Sequence, residues 1–444
     1  MLQGFYWNVP QQTASGSWWK DLESKAPALA AAGITAVWIP PPYKGHVGAN
    51  DAGYGVYDRY DLGEFDQKGS VATRYGTLAE LLSAIGKLHA SGIAVYGDVV
   101  MNHMMGGDVA EAVALLGGGT AMVHTRFDFP GRGGKYSAFA WRSNRFNGSD
   151  EGGWKQWHAW DFAPYENGDA YDNLLGTEIR YADADTRAEL VAWGQWLTDK
   201  LGLDGYRLDA IKHMYLPFVN QWLDGVKGDR FAVSEAWTGD VTRLSDYATL
   251  TGGRTRLFDV PLHYVFRSMS LGNGAWDMRG LKSAGFTEGH AALAVTFVDN
   301  HDTVNVGALH SPITNLKTLA YAYILTRGSA PCVFYQDYYG DHGDDLRGLI
   351  AVRKAHGYGA GREYAESDAE VYVYARAGDA AHPGLLLLLD AGVDAQRTVA
   401  SPFPSASLID ASGHSSAVVK TDATGKGTFP VPARSYSVWV PQGS

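Results

Sequence analysis

The sequence predicts an α/β fold: a (β/α)8 barrel of the TIM type, with an irregular β subdomain inserted after the third strand and an antiparallel β-sandwich at the C-terminal end. Three observations carry this. Over the first hundred residues, short apolar runs alternate with stretches of helical spacing. A segment rich in Gly, Asn, Asp and aromatics then interrupts the alternation, which resumes afterwards. The last part of the chain holds only short apolar runs between Gly, Pro and Asp turns.

The elements follow in order. Residues 3–7 read as a short strand. Residues 18–32 have helical spacing through Trp18, Leu22 and Leu29 and stop at Gly33, a helix C-cap signal. A buried strand is predicted over 34–40, a helix over 78–90 and a strand over 93–100. Strands this continuously apolar belong to a parallel sheet covered on both faces. Residues 103–183 lack a long periodic helix and form the insertion. A helix over 185–201 then precedes strands over 205–209, 231–235, 257–261, 294–299 and 332–335, which brings the strands to eight. After a helix over 345–356, strands are predicted at 371–374, 385–389, 407–409 and 436–440. The domains expected are a barrel of 1–103 and 184–359, an insertion of 104–183 and a C-terminal domain of 360–444.

Composition narrows the function. Of 444 residues, 45% are hydrophobic and 19% charged, the balance of a folded globular chain. The net charge is −11 and no basic block occurs, so nucleic acid and anionic membrane are excluded as partners. The apolar stretch 28–40 is broken by Gly33 and Thr35 and is too short to span a bilayer. One cysteine, Cys332, allows no intrachain disulfide. The first residues lack the charged and apolar regions of a signal peptide. That fits a secreted form without its leader, the reading adopted, or a cytoplasmic protein. The 14 Trp and 25 Tyr serve a core, and serve equally as platforms for sugar rings.

Ionisable residues stand where buried strands end. Asp98, with Asn102 and His103, follows the third strand; Arg207, Asp209, Lys212 and His213 follow the fourth; Glu235 ends the fifth; Asp299, His301 and Asp302 follow the seventh. In a parallel barrel these ends open onto one face. Arg207 and Asp209 are two apart on a strand and share a side, so the guanidinium keeps the carboxylate ionised. Taken singly, each acid reads equally as a helix cap or surface ion pair. Together, convergent carboxylates with a bound Arg fit glycoside hydrolysis, which needs one nucleophile and one acid.

The stretches Asp98-Val-Val-Met-Asn-His103, Gly205-Tyr-Arg-Leu-Asp-Ala-Ile-Lys-His213, Glu235-Ala-Trp237 and Phe297-Val-Asp-Asn-His-Asp302 resemble the four signature regions of the α-amylase family, glycoside hydrolase family 13. Gly53-Tyr54-Gly55-Val56-Tyr57-Asp58, Leu62 to Phe65, Phe129 to Gly133 and Tyr171 to Leu174 are similar to the bacterial liquefying members. The resemblance spans nearly the whole chain and is weakest over the last part. It implies that Asp209 is the nucleophile, Glu235 the general acid and then base, and Asp302 a stabiliser of the oxocarbenium-like transition state. It implies further that Tyr54, His103, Arg207 and His301 surround the same sugar, that Lys212, His213 and Trp237 reach the reducing-side sugars, and that Asp98 is structural support.

The resemblance also implies Ca2+, held by Asn102, Asp172, Glu178 and the His213 carbonyl, a hard-oxygen set. Here the sequence departs from the family. Glu178 and Arg180 stand where liquefying members have Asp, and Asn147 replaces another, while Asp161 is retained. One calcium is expected, with Arg180 facing Asp161 as a fixed charge in place of further cations. The activity implied is endo-acting, retaining hydrolysis of α-1,4-glucosidic bonds in starch, amylose and malto-oligosaccharides by a monomer. The alternatives are an oligosaccharide-forming amylase, a transglycosylase, or a glucan binder without catalysis.

Overall fold

The computed structural model describes residues 1–162 and 171–444; the part of the predicted insertion at 163–170 lies outside the described residues. Eight parallel strands close into a barrel: β1 Leu2–Gln3, β2 Ala36–Trp38, β3 Ala94–Val99, β4 Gly205–Leu208, β5 Phe231–Ser234, β6 Arg256–Phe258, β7 Ala294–Phe297 and β8 Ala330–Phe334. Each pairs with its neighbours in sequence order, and β1 closes the ring by pairing Leu2 with Val333 and Gln3 with Phe334. All eight predicted strands are present, and seven of them are shorter than expected. β1 ends at Gln3, yet Gly4 N still donates to the Trp38 carbonyl at 2.8 Å, and the approach is so close that a Cβ on Gly4 would meet Val37 Cγ1 at 2.7 Å. β6 stops at Phe258, because Asp259 caps the helix Val260–Gly272 by accepting from Leu262 N, with Pro261 in its first turn.

The outer helices begin and end on legible signals. The helix Leu78–Ala90 starts in a capping box between Thr77 and Glu80. The helix Ala184–Leu201 is capped by Asp183 and ends at Gly202 in the left-handed region, φ 64°.

The chain leaves the barrel after β3. It forms a four-stranded sheet of Lys155–Gln156, Phe146–Ser149, Thr177–Ile179 and His103–Met104, and a separate hairpin of Val109–Ala114 and Thr120–Arg126. This sheet stands beside the C-terminal ends of the barrel strands, since His103–Met104 follows directly from β3.

At the other end of the chain, six strands form one sheet, and Ala395–Ala400 pairs with Lys426–Val431 in a second. The strand Leu385–Asp390 explains how this domain is attached. Leu385, Leu387 and Leu389 belong to the barrel's core, while Leu386 and Leu388 belong to the C-terminal domain's own core with Val399, Phe429 and Trp439. Alternate residues of a strand face opposite sides, so a run of five leucines fills two cores. The pair Ala395–Ala400 and Lys426–Val431 is not among the predicted strands, because their exposed, polar alternate positions hide the pattern.

Close approach also fixes helix packing. A Cβ on Gly194 would meet Trp222 Nε1 at 2.6 Å, and that indole is held by a bond to the Leu190 carbonyl at 3.2 Å. Gly194→Ala gains about 1 kcal/mol of helix propensity but overpacks a filled site, at a cost of about 1–3 kcal/mol. The variant is expected to melt at or below the wild-type temperature in a thermal unfolding scan. A clear rise would show that Trp222 moves aside freely.

Candidate active site

Arg207 lies on β4 inside the barrel and is 1% exposed. Its Nη1 donates to Asp98 Oδ1 at 2.8 Å and to Asp209 Oδ1 at 2.6 Å, and its Nη2 contacts Glu235 Oε2. One guanidinium thus joins the ends of β3, β4 and β5. Burial opposes its charge, but the fields of Asp98 and Asp209 hold it protonated well above the usual range. Asp209 and Glu235 remain slightly exposed, at 8% and 7%, whereas Asp98 is sealed at 0%.

Asp98 anchors the group. Its Oδ2 accepts from Trp38 Nε1 at 3.1 Å and from Tyr54 OH at 2.7 Å. Burial pushes its carboxyl up to about 6 against the pull of Arg207. With both oxygens bonded to protein and the residue sealed from solvent, Asp98 supports the site.

The seventh strand end supplies His301 and Asp302. Gln3 Nε2 donates to His301 Nδ1 at 2.9 Å, which leaves Nε2–H facing Asp302 Oδ2 at 3.4 Å. Burial, then the charge of Arg207, holds His301 neutral, well below the usual imidazole range. Tyr54 stacks on His301 with ring centroids 5.1 Å apart, and Trp7 lies nearly parallel to Tyr54 at 5.5 Å. His103 donates Nε2–H to the Tyr54 carbonyl at 2.8 Å, fixing that residue from the insertion side. On the far side, Lys212 Nζ donates to the Trp237 carbonyl at 3.0 Å, and His213 Nδ1 donates to the Tyr171 carbonyl at 2.7 Å.

The structure therefore brings Tyr54, His103, Arg207, Asp209, Glu235, His301 and Asp302 to one end of the barrel, with Lys212, His213 and Trp237 along the same rim. Sequence reasoning missed Gln3 and Trp7. It read residues 3–7 only as a short strand and weighed none of their side chains for the site.

Beside the active site, buried oxygens lack partners. Asn102 Oδ1, Asn147 Oδ1, Asp172 Oδ1 and Glu178 Oε2 have no hydrogen bond among the described residues. Their companion atoms do: Asn102 Nδ2 donates to Glu178 Oε1 at 3.0 Å, and Asn147 Nδ2 to Asp172 Oδ2 at 3.2 Å. Burial raises the Glu178 carboxyl well above the usual range, with Asp172 adding to it, and burial raises Asp172 to about 7. Acidic and His/Cys side chains alone make no group of three suited to a metal among the described residues. The cradle appears only when the amide oxygens of Asn102 and Asn147 are counted. Unpartnered buried oxygens with a net negative field fit a hard cation.

Arg180 reaches Asp161 through its charge, which opposes the rise that burial gives that carboxyl, and not through a direct bond. Among the described residues it makes no ion pair with Asp161, Asp172 or Glu178. Asp161 is instead satisfied by Tyr181 N at 2.7 Å, Ala182 N at 2.6 Å and Asn147 Nδ2 at 2.8 Å. Two backbone donors and an amide supply its hydrogen bonds, and Arg180 adds charge at longer range.

Comparison with known proteins agrees with this geometry. The family described as alpha amylase, catalytic domain, matches residues 12–357, and that described as alpha-amylase C-terminal matches residues 388–440. An alpha-amylase of Bacillus licheniformis is 39% identical, over 99% of this chain and 93% of its own. A glucan 1,4-alpha-maltohexaosidase of a Bacillus species is 38% identical, over 99% and 92%. The alpha-amylase from Geobacillus thermoleovorans, solved with acarbose, superposes with a TM-score of 0.70 at 17% identity, over 98% of this chain and 94% of that one.

Burial raises Asp302 to about 7, with Asp209 and Asp98 adding to the rise and Arg207 opposing it. The folded protein then holds this proton more tightly than the unfolded chain, whose group titrates near 3.8. The resulting stability is full below that value and is lost as pH rises toward about 7. Asp302→Asn cannot titrate. Its melting temperature relative to wild type is expected to climb between pH 5 and pH 8, and a flat difference would show that the carboxyl titrates normally.

Proposed function

Because this chain belongs to the α-amylase family, we propose that it hydrolyses the α-1,4-glucosidic bonds of starch, amylose and malto-oligosaccharides with retention of configuration, cutting within the polymer. The observation that carries this is the single buried guanidinium joining Asp209 and Glu235 at an open barrel end. Retention needs two carboxyl groups close together, one nucleophile and one acid.

Asp209, held in place by its bond from Arg207, attacks the anomeric carbon and forms a glycosyl-enzyme. Glu235 protonates the departing oxygen. A protonated Glu235 still accepts from Arg207 through Oε2 while Oε1 carries the proton. The same carboxylate then takes a proton from water, which releases the sugar. Asp302 and the neutral His301 hold hydroxyls of the distorted ring, with Tyr54 as its stacking face and His103 beside it. Lys212, His213 and Trp237 meet the sugars on the reducing side. The division into barrel, insertion and C-terminal domain at 103/104, 183/184 and 359/360 belongs to the same reading.

Calcium suits the oxygen cradle. Asn102, Asp172, Glu178 and the His213 carbonyl would hold it, and Asn147, absent from the expected set, adds an unpartnered oxygen. The ion supplies fixed positive charge that joins the insertion to the barrel. Among the described residues no helix is long and apolar enough to cross a membrane. A starch polymer does not cross one either, which supports a secreted, monomeric enzyme. A hexaose-forming mode is the second reading, favoured by the maltohexaosidase relative.

Asp209→Asn is expected to lose essentially all hydrolysis of soluble starch while its melting curve stays near wild type. Proton NMR of wild-type products should show the α-anomer first; early β-anomer would overturn retention. Chelator should lower the melting temperature, because the ion binds only the folded state, and added calcium should restore it. Unchanged melting in stripped protein would remove the site.

A further inference from the structure

Ring packing fixes where the His301 imidazole lies but not where its proton sits. Four aromatic rings enclose it, with centroids at 5.2 Å for Phe5, 5.7 Å for Trp38, 5.1 Å for Tyr54 and 5.8 Å for Trp7. Apolar faces do not distinguish one ring nitrogen from the other. The polar contacts do. Nε2 faces Asp302 Oδ2 at 3.4 Å, too long a contact to hold a tautomer by itself. Nδ1 meets Gln3 Nε2 at 2.9 Å, and that amide stands on β1, 298 positions earlier in the chain. Gln3 is 0% exposed, and its Oε1 has no hydrogen bond among the described residues. The bond to His301 is therefore the one its side chain makes there. A buried amide with a single bond, aimed at a ring of the active site, has a task beyond filling the barrel.

We propose that Gln3 is a positioning residue of the hydrolysis: its amide N–H occupies the lone pair of Nδ1 and so keeps the His301 proton on Nε2, facing the sugar beside Asp302. This rests on the hydrolytic reading above. Which nitrogen of a neutral imidazole carries the proton is set by the bond that the other one makes. A carboxylate at position 3 would accept a proton from Nδ1 and turn a bare Nε2 toward the site. A cationic side chain there would add charge beside Arg207. An amide supplies a donor without charge. The charged and titratable groups facing the ring are Arg207, whose charge opposes an imidazolium, the Asp302 carboxyl, and the Tyr54 phenol, which burial keeps neutral. Gln3 also pairs with Phe334 to close the barrel. The strand that completes the ring thus sets the proton of a residue at the end of another strand.

The test uses the full chain with calcium present, labelled with nitrogen-15 in its histidines. Long-range proton–nitrogen correlation spectra report the tautomer of each ring, and His301 is assigned by its absence in His301→Asn. A bare Nδ1 and a protonated Nε2 are expected in wild type. Gln3→Glu puts an acceptor in place of the donor. It is expected to reverse that pattern and to lower kcat on soluble starch by about five- to tenfold. The loss should shrink as pH falls, because the new carboxylate favours an imidazolium, which carries N–H on both nitrogens. Gln3→Met keeps the bulk without a donor and should lose less, with no such pH dependence. Equal, pH-independent losses in the two variants would show that Gln3 only fills space and would overturn the proposal. A protonated Nδ1 in wild type that hydrolyses starch would overturn it as well. Wild type with the expected tautomer but no action on starch would instead overturn the hydrolytic reading, and this role with it.

Discussion

Everything at the open end of the barrel is arranged around one buried positive charge. Arg207 sits where three strand ends converge, and three carboxylates compete for its five N–H groups. A guanidinium taken out of water is strongly destabilising unless such partners are present, and the carboxylates are equally costly without it. The excess negative charge is then met by neutral donors: Trp38 and Tyr54 serve Asp98 so that it does not drain Arg207. The division of labour between a sealed Asp98 and two slightly exposed acids follows from that allocation. The carboxylates facing solvent are those with lone pairs to spare.

The insertion obeys the same constraint with a different solution. Among the described residues its acids, Asp172 and Glu178, have no guanidinium and are left with unpartnered oxygens among amide groups. Burial raises both, so the protein alone stabilises them only as neutral acids. The proposed hard cation would let them ionise. Two charge clusters in one molecule thus pose one problem with two answers: a resident arginine where hydrogen-bond direction matters, and, in the proposed reading, an ion where it does not.

Much of this was legible in the residues. Strand positions could be read because buried parallel strands are continuously apolar, and acids at their ends stand out against that background. Arg207 and Asp209 were paired by strand period alone, and the structure shows the bond. Less was legible where the signal lies in three dimensions. Trp7 and Gln3 read only as strand residues because nothing local separates an aromatic that fills space from one that faces a cleft. That Arg180 acts on Asp161 was legible as charge, whereas the backbone donors of Tyr181 and Ala182 that supply that carboxylate's bonds were not. Asn147, read as a lost ligand, keeps an orphaned oxygen that only the fold reveals. The strands Ala395–Ala400 and Lys426–Val431 were hidden because half of each faces water.

The double-faced leucine strand has a kinetic consequence. Leu385, Leu387 and Leu389 cover apolar surface on the barrel's helices, and their own sheet is completed by Tyr436–Pro441, which is synthesised last of these strands. Ring closure likewise waits for β8 to reach β1 across most of the chain. Contacts of such long sequence separation are slow to form, and until they do the uncovered surface is open to wrong partners. The nascent protein therefore passes through a period in which its barrel is assembled but its apolar flank is bare, and a chaperone's hold during that interval would govern how much active enzyme a cell recovers.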